Sequence, residues 1–236
     1  MMSSPRLLAF DTSTESMSVA VRHGDAVLER SSAGGAQASA TLIPLIQALL
    51  SEAGLSLREL DAIAFGRGPG SFTGLRTACS VAQGLGFGAG VPLLPVDTLQ
   101  AVAEDARQRL GAQQVLAVLD ARMDQVYCAA YDFGAADPVA GAEPQLLAPE
   151  EVIVPPGFAL AGNAFDAYGG RLPAAAARHP ALPTAAAMLR LAPALLSAGR
   201  TVAPAGAWPL YVRDKVAQTT AERAAAKQAS TQSQQT

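Results

Sequence analysis

Short apolar segments separated by polar turns make up the beginning of the chain. Residues 6–11, 17–22 and 26–30 have the length and composition of strands, and His23-Gly24-Asp25 between the last two is typical of a hairpin turn. The first of these segments, RLLAFD, is apolar throughout, which indicates a strand buried on both faces. The pattern therefore predicts three consecutive strands connected as an antiparallel meander.

From Ser39 the apolar spacing changes from that of a strand to that of a helix. Leucine and isoleucine recur every three or four residues, and Gly54 marks the end of the helix. Further along, strands are predicted at residues 62–66 and 91–94 and helices at 73–88 and 98–110. Three antiparallel strands followed by alternating helices and parallel strands are the arrangement of the ribonuclease-H-like fold.

The second half of the chain repeats the beginning of the first. LLAFDTSTESMSVAV from Leu7 and VLAVLDARMDQVYCAAY from Val115 share one layout: an apolar strand that ends in an aspartate, a short polar turn, and a second apolar strand. The two aspartates are Asp11 and Asp120. Two such halves form the duplicated ribonuclease-H-like fold of the actin-like ATPases, the ASKHA class. We therefore expect an N-terminal lobe at residues 1–112 and a C-terminal lobe at residues 113–215.

Fewer regular elements are predicted in the C-terminal lobe. Loops rich in Pro, Ala and Gly follow residue 133, and then come a strand at 158–161 and a helical stretch at 184–197 that Pro193 should kink or split. Residues 216–236 are polar, without an apolar stripe, and are predicted to be a disordered tail. The second lobe is accordingly expected to be reduced.

Composition indicates a soluble globular protein that has a partner. Of the 236 residues, 50% are apolar and 16% are charged, which leaves more apolar surface than a lone monomer usually shows. The net charge of -3 argues against nucleic-acid binding by this chain alone. Cys79 and Cys128 lie in apolar segments and are expected to be buried thiols of a cytoplasmic protein, and no apolar run is long enough for a signal peptide or a membrane helix.

The glycine-rich segment GRGPGSFTGLR lies between a predicted strand and a predicted helix. It is not a phosphate-binding P-loop, because five residues separate Gly68 from Gly74 and no lysine follows. Its backbone N-H groups lead into a helix N-terminus, with Ser71 or Thr73 as the cap, and such a place attracts anions. The alternative is a tight strand-to-helix turn in which the glycines serve only the backbone.

Few residues in the chain are suited to catalysis or metal binding. The two histidines, His23 and His179, lie far apart, and there is no Cys-x-x-Cys motif, so we expect no His/Cys metal site. Asp11 and Asp120 end strands at the positions where actin-like ATPases have the acids that organise phosphate and a divalent cation. The alternative for both is that they cap the turns of the duplicated hairpin.

Four segments resemble a known family. LAFDTSTE from Leu8, GRGPGSFTGLR from Gly66, DARM from Asp120 with Val126-Tyr127, and PLYVR from Pro209 are similar to the TsaB (YeaZ) family of bacterial tRNA threonylcarbamoyladenosine biosynthesis. The resemblance implies an actin-like fold and a non-catalytic subunit that pairs with TsaD. TsaD transfers the threonylcarbamoyl group to the adenosine beside the anticodon, and a small ATPase, TsaE, joins the pair.

The resemblance also implies where the sites should lie. The two N-terminal helices would pack against the equivalent pair of TsaD, or against a second copy of this chain when TsaD is absent, and tRNA would be reached only through the complex. The residues expected at this partner interface are Leu42, Ile46, Leu49, Gly74, Ala78, Ala82 and Leu85. Many members of the family have a histidine where this chain has Ala38, which removes a metal ligand of the TsaD type.

A vestigial nucleotide site is a further expectation. Its residues would be Asp11, Thr12, Gly68, Gly70 and Asp120. No intrinsic cofactor is expected, and ATP or ADP with magnesium would act within the complex.

Two other functions are compatible with the residues. One is an independent actin-like phosphotransferase that uses Asp11 and Asp120 around ATP and magnesium. The other is a tRNA-binding module in which Arg67 and Arg76 contact phosphate, although two arginines on an acidic protein give little affinity. The resemblance favours the non-catalytic subunit over both.

Overall fold

The computed structural model describes residues 4–135, 143–175 and 177–213, so the tail predicted at 216–236 lies outside the described residues. The first of two five-stranded sheets has the strand order β3-β2-β1-β4-β5. β1 to β3 form the predicted antiparallel meander, and β4 and β5 are added in parallel to β1. The strands are β1 (Leu7–Asp11), β2 (Ser16–His23), β3 (Ala26–Ala33), β4 (Ala62–Gly68) and β5 (Leu93–Asp97).

The second sheet repeats the topology of the first. Its order is β10-β9-β6-β7-β8, with β6 to β8 antiparallel and β9 and β10 parallel to β6. Counted from its own first strand, this is the same order as in the first sheet, so the duplicated ribonuclease-H-like fold is confirmed. The strands are β6 (Gln114–Arg122), β7 (Gln125–Asp132), β8 (Gln145–Leu147), β9 (Ala159–Gly162) and β10 (Arg178–Pro180).

Four of the helices begin and end close to the predicted positions, and one helix of four residues was not predicted. They are α1 (Ala38–Glu52), α2 (Phe72–Ala89), α3 (Thr98–Leu110), α4 (Phe165–Tyr168) and α5 (Ala185–Ser197). α5 continues through Pro193 as one helix, so of the two effects expected of this proline, a kink or a split, the split does not occur. Proline deletes one backbone hydrogen bond of the helix, and the burial of seven α5 side chains compensates for that loss.

Each face of the first sheet is covered by helices. Leu8 and Phe10 of β1 face α1 and α2, whereas Leu7 and Ala9 face α5. This division follows from the alternation of side chains along a strand. α3 packs against α5 and against β6 and β7, so α3 and α5 lie between the two sheets. The predicted boundary after residue 112 falls in the link between α3 and β6, and as a division into domains it stays a prediction.

The cysteines are buried as expected. Cys79 and Cys128 are both free and buried, and burial raises the pKa of each thiol to about 11. Neither thiol is therefore a nucleophile at neutral pH. Among residues 4–135, 143–175 and 177–213, no helix is both long and apolar enough to cross a bilayer.

Candidate functional site

A cleft of about 430 Å³ lies between the two lobes. Its walls come from the β1–β2 turn, the loop before α2, the β6–β7 turn and residues 210–213. Because the two lobes are repeats, equivalent turns from each lobe face one another across the cleft. The lining includes Ser13, Thr14, Glu15, Gly70, Ser71, Phe72, Asp120, Arg122, Tyr127, Asn163, Tyr211 and Arg213.

The glycine-rich loop is shaped by close packing against the β1–β2 turn. A Cβ on Gly66 would lie 1.8 Å from Asp11 Oδ2, and a Cβ on Gly74 would lie 1.9 Å from the carbonyl oxygen of Thr12. The Thr12 hydroxyl in turn donates to the Gly74 carbonyl at 2.7 Å. Ser71 precedes α2, but its side chain makes no capping hydrogen bond. These contacts support the alternative of a tight strand-to-helix turn.

Asp11 is fully buried, and its carboxylate is occupied by the chain's own donors. Oδ1 accepts from the Ser13 amide at 2.7 Å and from the Ser13 hydroxyl at 2.6 Å, and Oδ2 accepts from the Thr98 hydroxyl at 3.3 Å. Desolvation raises the pKa of Asp11 to about 6, although these hydrogen bonds act in the opposite direction. A carboxylate in this position has no surface to offer a phosphate or a cation.

Asp120 makes the same turn contact in the second lobe but remains at the cleft. Its Oδ1 accepts from the Arg122 amide at 2.7 Å, which matches the bond from Ser13 to Asp11. Oδ1 also accepts from the Tyr168 hydroxyl at 3.0 Å, and Oδ2 lies 3.1 Å from the Arg122 guanidinium. The Asp120 side chain is 10% exposed. Both aspartates thus cap the turns of the repeated hairpin.

The predicted nucleotide site is only partly assembled. Gly70 and Asp120 line the cleft, whereas Asp11, Thr12 and Gly68 do not. The direct contacts with nucleotide expected for these three residues are therefore corrected: Asp11 and Thr12 are buried in the β1–β2 turn, and the Leu210 carbonyl lies against Gly68. In the part of the chain that the structure describes, no three His, Cys, Asp or Glu side chains are grouped closely enough to hold a metal ion. The residues predicted to organise phosphate and magnesium do not fit that role here.

Several cleft residues were not predicted from the sequence. Asn163 joins the lobes, because its Oδ1 accepts from the Asp120 amide at 2.9 Å and its Nδ2 donates to Glu15 at 3.2 Å. Arg122, Tyr211 and Arg213 line the cleft as well. The DARM and PLYVR segments contain these three residues, so the motifs were a usable signal, but nothing in their spacing indicated that they meet.

The residues predicted for the partner interface face the chain's own core. Leu42, Ile46, Leu49, Ala78 and Ala82 are at most 1% exposed and pack against the first sheet. Gly74 is buried beside Thr12, and Leu85 is half-buried against the same core. A buried side chain offers no surface to a partner, so this part of the prediction is corrected. Ala38 is likewise fully buried.

The solvent-facing side of α1 and α2 differs in composition from their buried side, and we call it the α1–α2 face. Its only charged residues are Glu52 and Arg76, and both have partners. Glu52 pairs with Arg30 at 3.0 Å, while Arg76 stacks 3.7 Å from the centre of the Phe72 ring and donates to the Tyr211 hydroxyl at 3.1 Å. The exposed residues of this face include Ala40, Thr41, Ile43, Pro44, Gln47, Ala48, Thr73, Ser80, Gly84, Phe87 and Gly88.

Comparison with known proteins gives a consistent result. Residues 35–221 match the family described as TsaD: tRNA N6-adenosine threonylcarbamoyltransferase. The tRNA threonylcarbamoyladenosine biosynthesis protein TsaB of Escherichia coli (strain K12) is 35% identical over 222 residues, which are 90% of this chain and 96% of that protein. The protein of the same name from Haemophilus influenzae is 44% identical over 121 residues, 51% of each chain.

Solved structures agree with these sequence relatives. The structure of YeaZ from Pseudomonas aeruginosa is 39% identical and superimposes with a TM-score of 0.81, covering 88% of this chain and 99% of that one. A second crystal structure, of an uncharacterized protein with similarity to peptidase YEAZ from the same organism, is 38% identical with a TM-score of 0.82 and covers 89% and 100% of the two chains.

Proposed function

The chain belongs to the TsaB family, and we propose that it acts as a non-catalytic subunit in the formation of N6-threonylcarbamoyladenosine in tRNA. Membership of the family assigns the chain to the biosynthesis of this nucleoside. The proposal adds three finer statements. The chain performs no chemistry of its own, it pairs with TsaD through the α1–α2 face, and it helps to recruit TsaE. The last of these rests on the family resemblance alone.

The environment of the acidic residues supports a non-catalytic role. Asp11 is buried and bonded to Ser13 and Thr98, and Asp120 is bonded to Arg122 and Tyr168. An actin-like phosphotransferase would need both carboxylates free to organise magnesium and phosphate. The independent phosphotransferase is therefore not favoured. ATP or ADP with magnesium, in this proposal, acts on the partners within the complex.

One observation carries the pairing proposal: the α1–α2 face presents no unpaired charge. Water solvates such a face poorly, and Ile43 and Phe87 are 41% and 64% exposed on it. The TsaD family model matches residues 35–221, which include both helices, and this supports the proposal that TsaD pairs through equivalent helices. Two copies of a face without free charge can also pack against each other without charge repulsion. This favours a two-fold homodimer when TsaD is absent.

Contact with tRNA is proposed to occur through the complex. Arg67 is ion-paired with Asp97, and Arg76 is held between Phe72 and Tyr211, so both arginines are engaged within the chain. The cytoplasm is the proposed compartment, because tRNA modification takes place where tRNA is and because two free thiols persist in a reducing environment.

The pairing proposal is tested with aspartate substitutions on the α1–α2 face. Ile43→Asp and Phe87→Asp should each leave the melting temperature nearly unchanged and lower the affinity for TsaD at least tenfold, because each buries an unpaired carboxylate in the interface. The measurement is co-elution with purified TsaD on size exclusion, followed by calorimetric titration.

Ile153→Asp is the matched control. Ile153 is 82% exposed and belongs to the second lobe, so its substitution should leave TsaD binding at the wild-type level. Unchanged binding by both helix variants would contradict the proposed surface. Substitution of Ala78 or Ala82 does not test it, because those residues are part of the core.

A further inference from the structure

The last described residues run along α2 and then across the mouth of the cleft. We call residues 208–213, with the sequence WPLYVR, the C-terminal strap. We propose that this strap is an interlobe clamp: it is fastened to both lobes and sets the distance between the β1–β2 and β6–β7 turns. The inference concerns the mechanics of the fold and does not depend on the proposed partner.

The strap is fastened to the first lobe by its backbone. Just before it, Ala207 is buried and its carbonyl accepts from Gln83 of α2 at 3.0 Å. The Leu210 amide donates to the Arg67 carbonyl at the end of β4 at 2.7 Å. The Leu210 carbonyl lies where a Cβ on Gly68 would be only 2.7 Å away, so the glycine allows the strap to approach β4. These contacts fix the course of the strap.

Tyr211 adds a side-chain attachment to the same lobe. Its ring packs on Phe72 with 5.3 Å between ring centres, and its hydroxyl accepts from Arg76 Nε at 3.1 Å. Arg76 also stacks on Phe72, so the three side chains form one layered group at the N-terminal end of α2. Aromatic and cation-π contacts of this kind stabilise the attachment beyond the apolar area that they bury.

Two residues fasten the strap to the second lobe. Val212 packs against the apolar cluster that β6 and β7 of the second lobe form with α3 of the first. The Arg213 guanidinium donates to Gln125 Oε1 at 2.7 Å, to the Arg122 carbonyl at 3.3 Å and to Met123 Sδ at 3.4 Å. Met123 lies in the β6–β7 turn, and the other two partners of Arg213 are the strand residues on either side of that turn.

That turn has an unfavourable backbone conformation. Arg122, Met123 and Asp124 have φ values of 61°, 55° and 57°, in the left-handed region that residues with a side chain rarely adopt. A conformation of this kind persists when its surroundings over-determine it. Asp120 accepts from the Arg122 amide, Arg171 pairs with Asp124, and Arg213 holds the turn from the strap side.

The clamp follows from these attachments taken together. Neighbouring residues of one short segment are bound to opposite walls of the cleft, so the lobes cannot separate at this edge unless Tyr211 or Arg213 releases its contacts. A second bridge, from Asn163 to Glu15, also spans the cleft, but Glu15 is exposed and such a contact contributes little. The strap is thus the stronger of these two closures.

The test measures the distance between the lobes directly. Spin labels on Asp25→Cys, in the exposed β2–β3 turn, and Ile153→Cys report one interlobe distance, and dilution with unlabelled chain removes pairs between molecules. Cys79 and Cys128 are buried and stay unlabelled. In the full-length chain, Arg213→Ala should broaden the distance distribution at least twofold, and Tyr211→Ala should act in the same direction.

Trp208→Ala is the matched control, because Trp208 belongs to the strap but its side chain is 70% exposed; it should leave the distribution unchanged. Arg213→Lys, which retains the charge and loses the fork that reaches three acceptors, should give an intermediate width and serves if Arg213→Ala does not fold. A wild-type width in both Arg213 variants, or the same broadening in Trp208→Ala, would overturn the clamp.

Discussion

Asp11 and Asp120 have the same role in the two repeats but different surroundings. Asp11 is the last residue of β1 and Asp120 lies two residues before the end of β6, and each accepts from the amide two residues later, at 2.7 Å in both cases. Asp11 is enclosed between Gly66 and Thr98, whereas Asp120 lies beside the Arg122 guanidinium and lines the cleft. The shared role could be predicted from the repeated motif. The difference in burial could not, because it depends on which backbone passes over each carboxylate.

The burial of Asp11 predicts a dependence of stability on pH. Its folded pKa of about 6 lies above the ordinary aspartate pKa of 3.8, so the folded state binds the proton more tightly than the unfolded state. The resulting stabilisation is fully present below the unfolded pKa and is lost as the pH rises through 6. Relative to Asp11→Asn, the wild-type chain should lose about 2 kcal/mol of unfolding free energy between pH 4.5 and 7.5.

Urea titrations of both proteins across this range measure the effect. The other titrating groups are shared by the two chains, so they cancel in the difference between them. A difference that does not vary with pH would show that Asp11 is ionised throughout and would refute the assigned environment.

Helix α2 shows what the apolar pattern of a segment can predict and what it cannot. The periodic apolar residues predicted the helix, and the structure confirms it from Phe72 to Ala89. The same residues, Ala78 and Ala82 among them, were also assigned to a partner surface, and that was wrong because they pack on β1 and β4. Periodicity locates an apolar stripe but does not say whether the chain's own sheet or another protein covers it.

The shortest elements could not be predicted either. β8 and β10 have three residues each, and α4 has four. A segment of this length spans little more than one period of a strand or helix pattern, which is too short for the repetition that identifies either. These strands exist because a neighbouring strand supplies their hydrogen bonds, which is a property of the assembled sheet.

The attachment of α2 to the β1–β2 turn gives a prediction at the same scale. Gly74→Ala should lower the unfolding free energy by about 2–3 kcal/mol, because the new Cβ would overlap the Thr12 carbonyl. Gly84→Ala is the matched control in the same helix. Its Cβ would have nothing within 4 Å, so the better helix propensity of alanine should raise stability by up to about 1 kcal/mol.

Chemical denaturation of the two variants measures these changes. Equal effects of the two substitutions, in either direction, would contradict the close approach of α2 to the turn.

At the scale of the whole molecule, the duplication was predictable and the cleft was not. The βββαβαβα order and the repeated hairpin determine both sheets, since each uses the same strand order. The cleft brings Ser13, Asp120 and Arg213 together from three distant parts of the chain. No local sequence pattern predicts that these residues lie close together, because their proximity depends on how α3 and α5 pack between the sheets and on where the strap crosses the cleft.

The proposal that this chain contributes contact and not chemistry can be tested by restoring threonylcarbamoyl transfer with added protein. Threonylcarbamoyl transfer to tRNA is measured in an extract that lacks this chain, to which the purified wild-type chain, Ile43→Asp or the Ile153→Asp control is added. We expect the wild-type chain and Ile153→Asp to restore transfer, Ile43→Asp to fail to restore it, and the purified chain without TsaD to form no product. Product formation by the purified chain alone, or full restoration by Ile43→Asp, would contradict it.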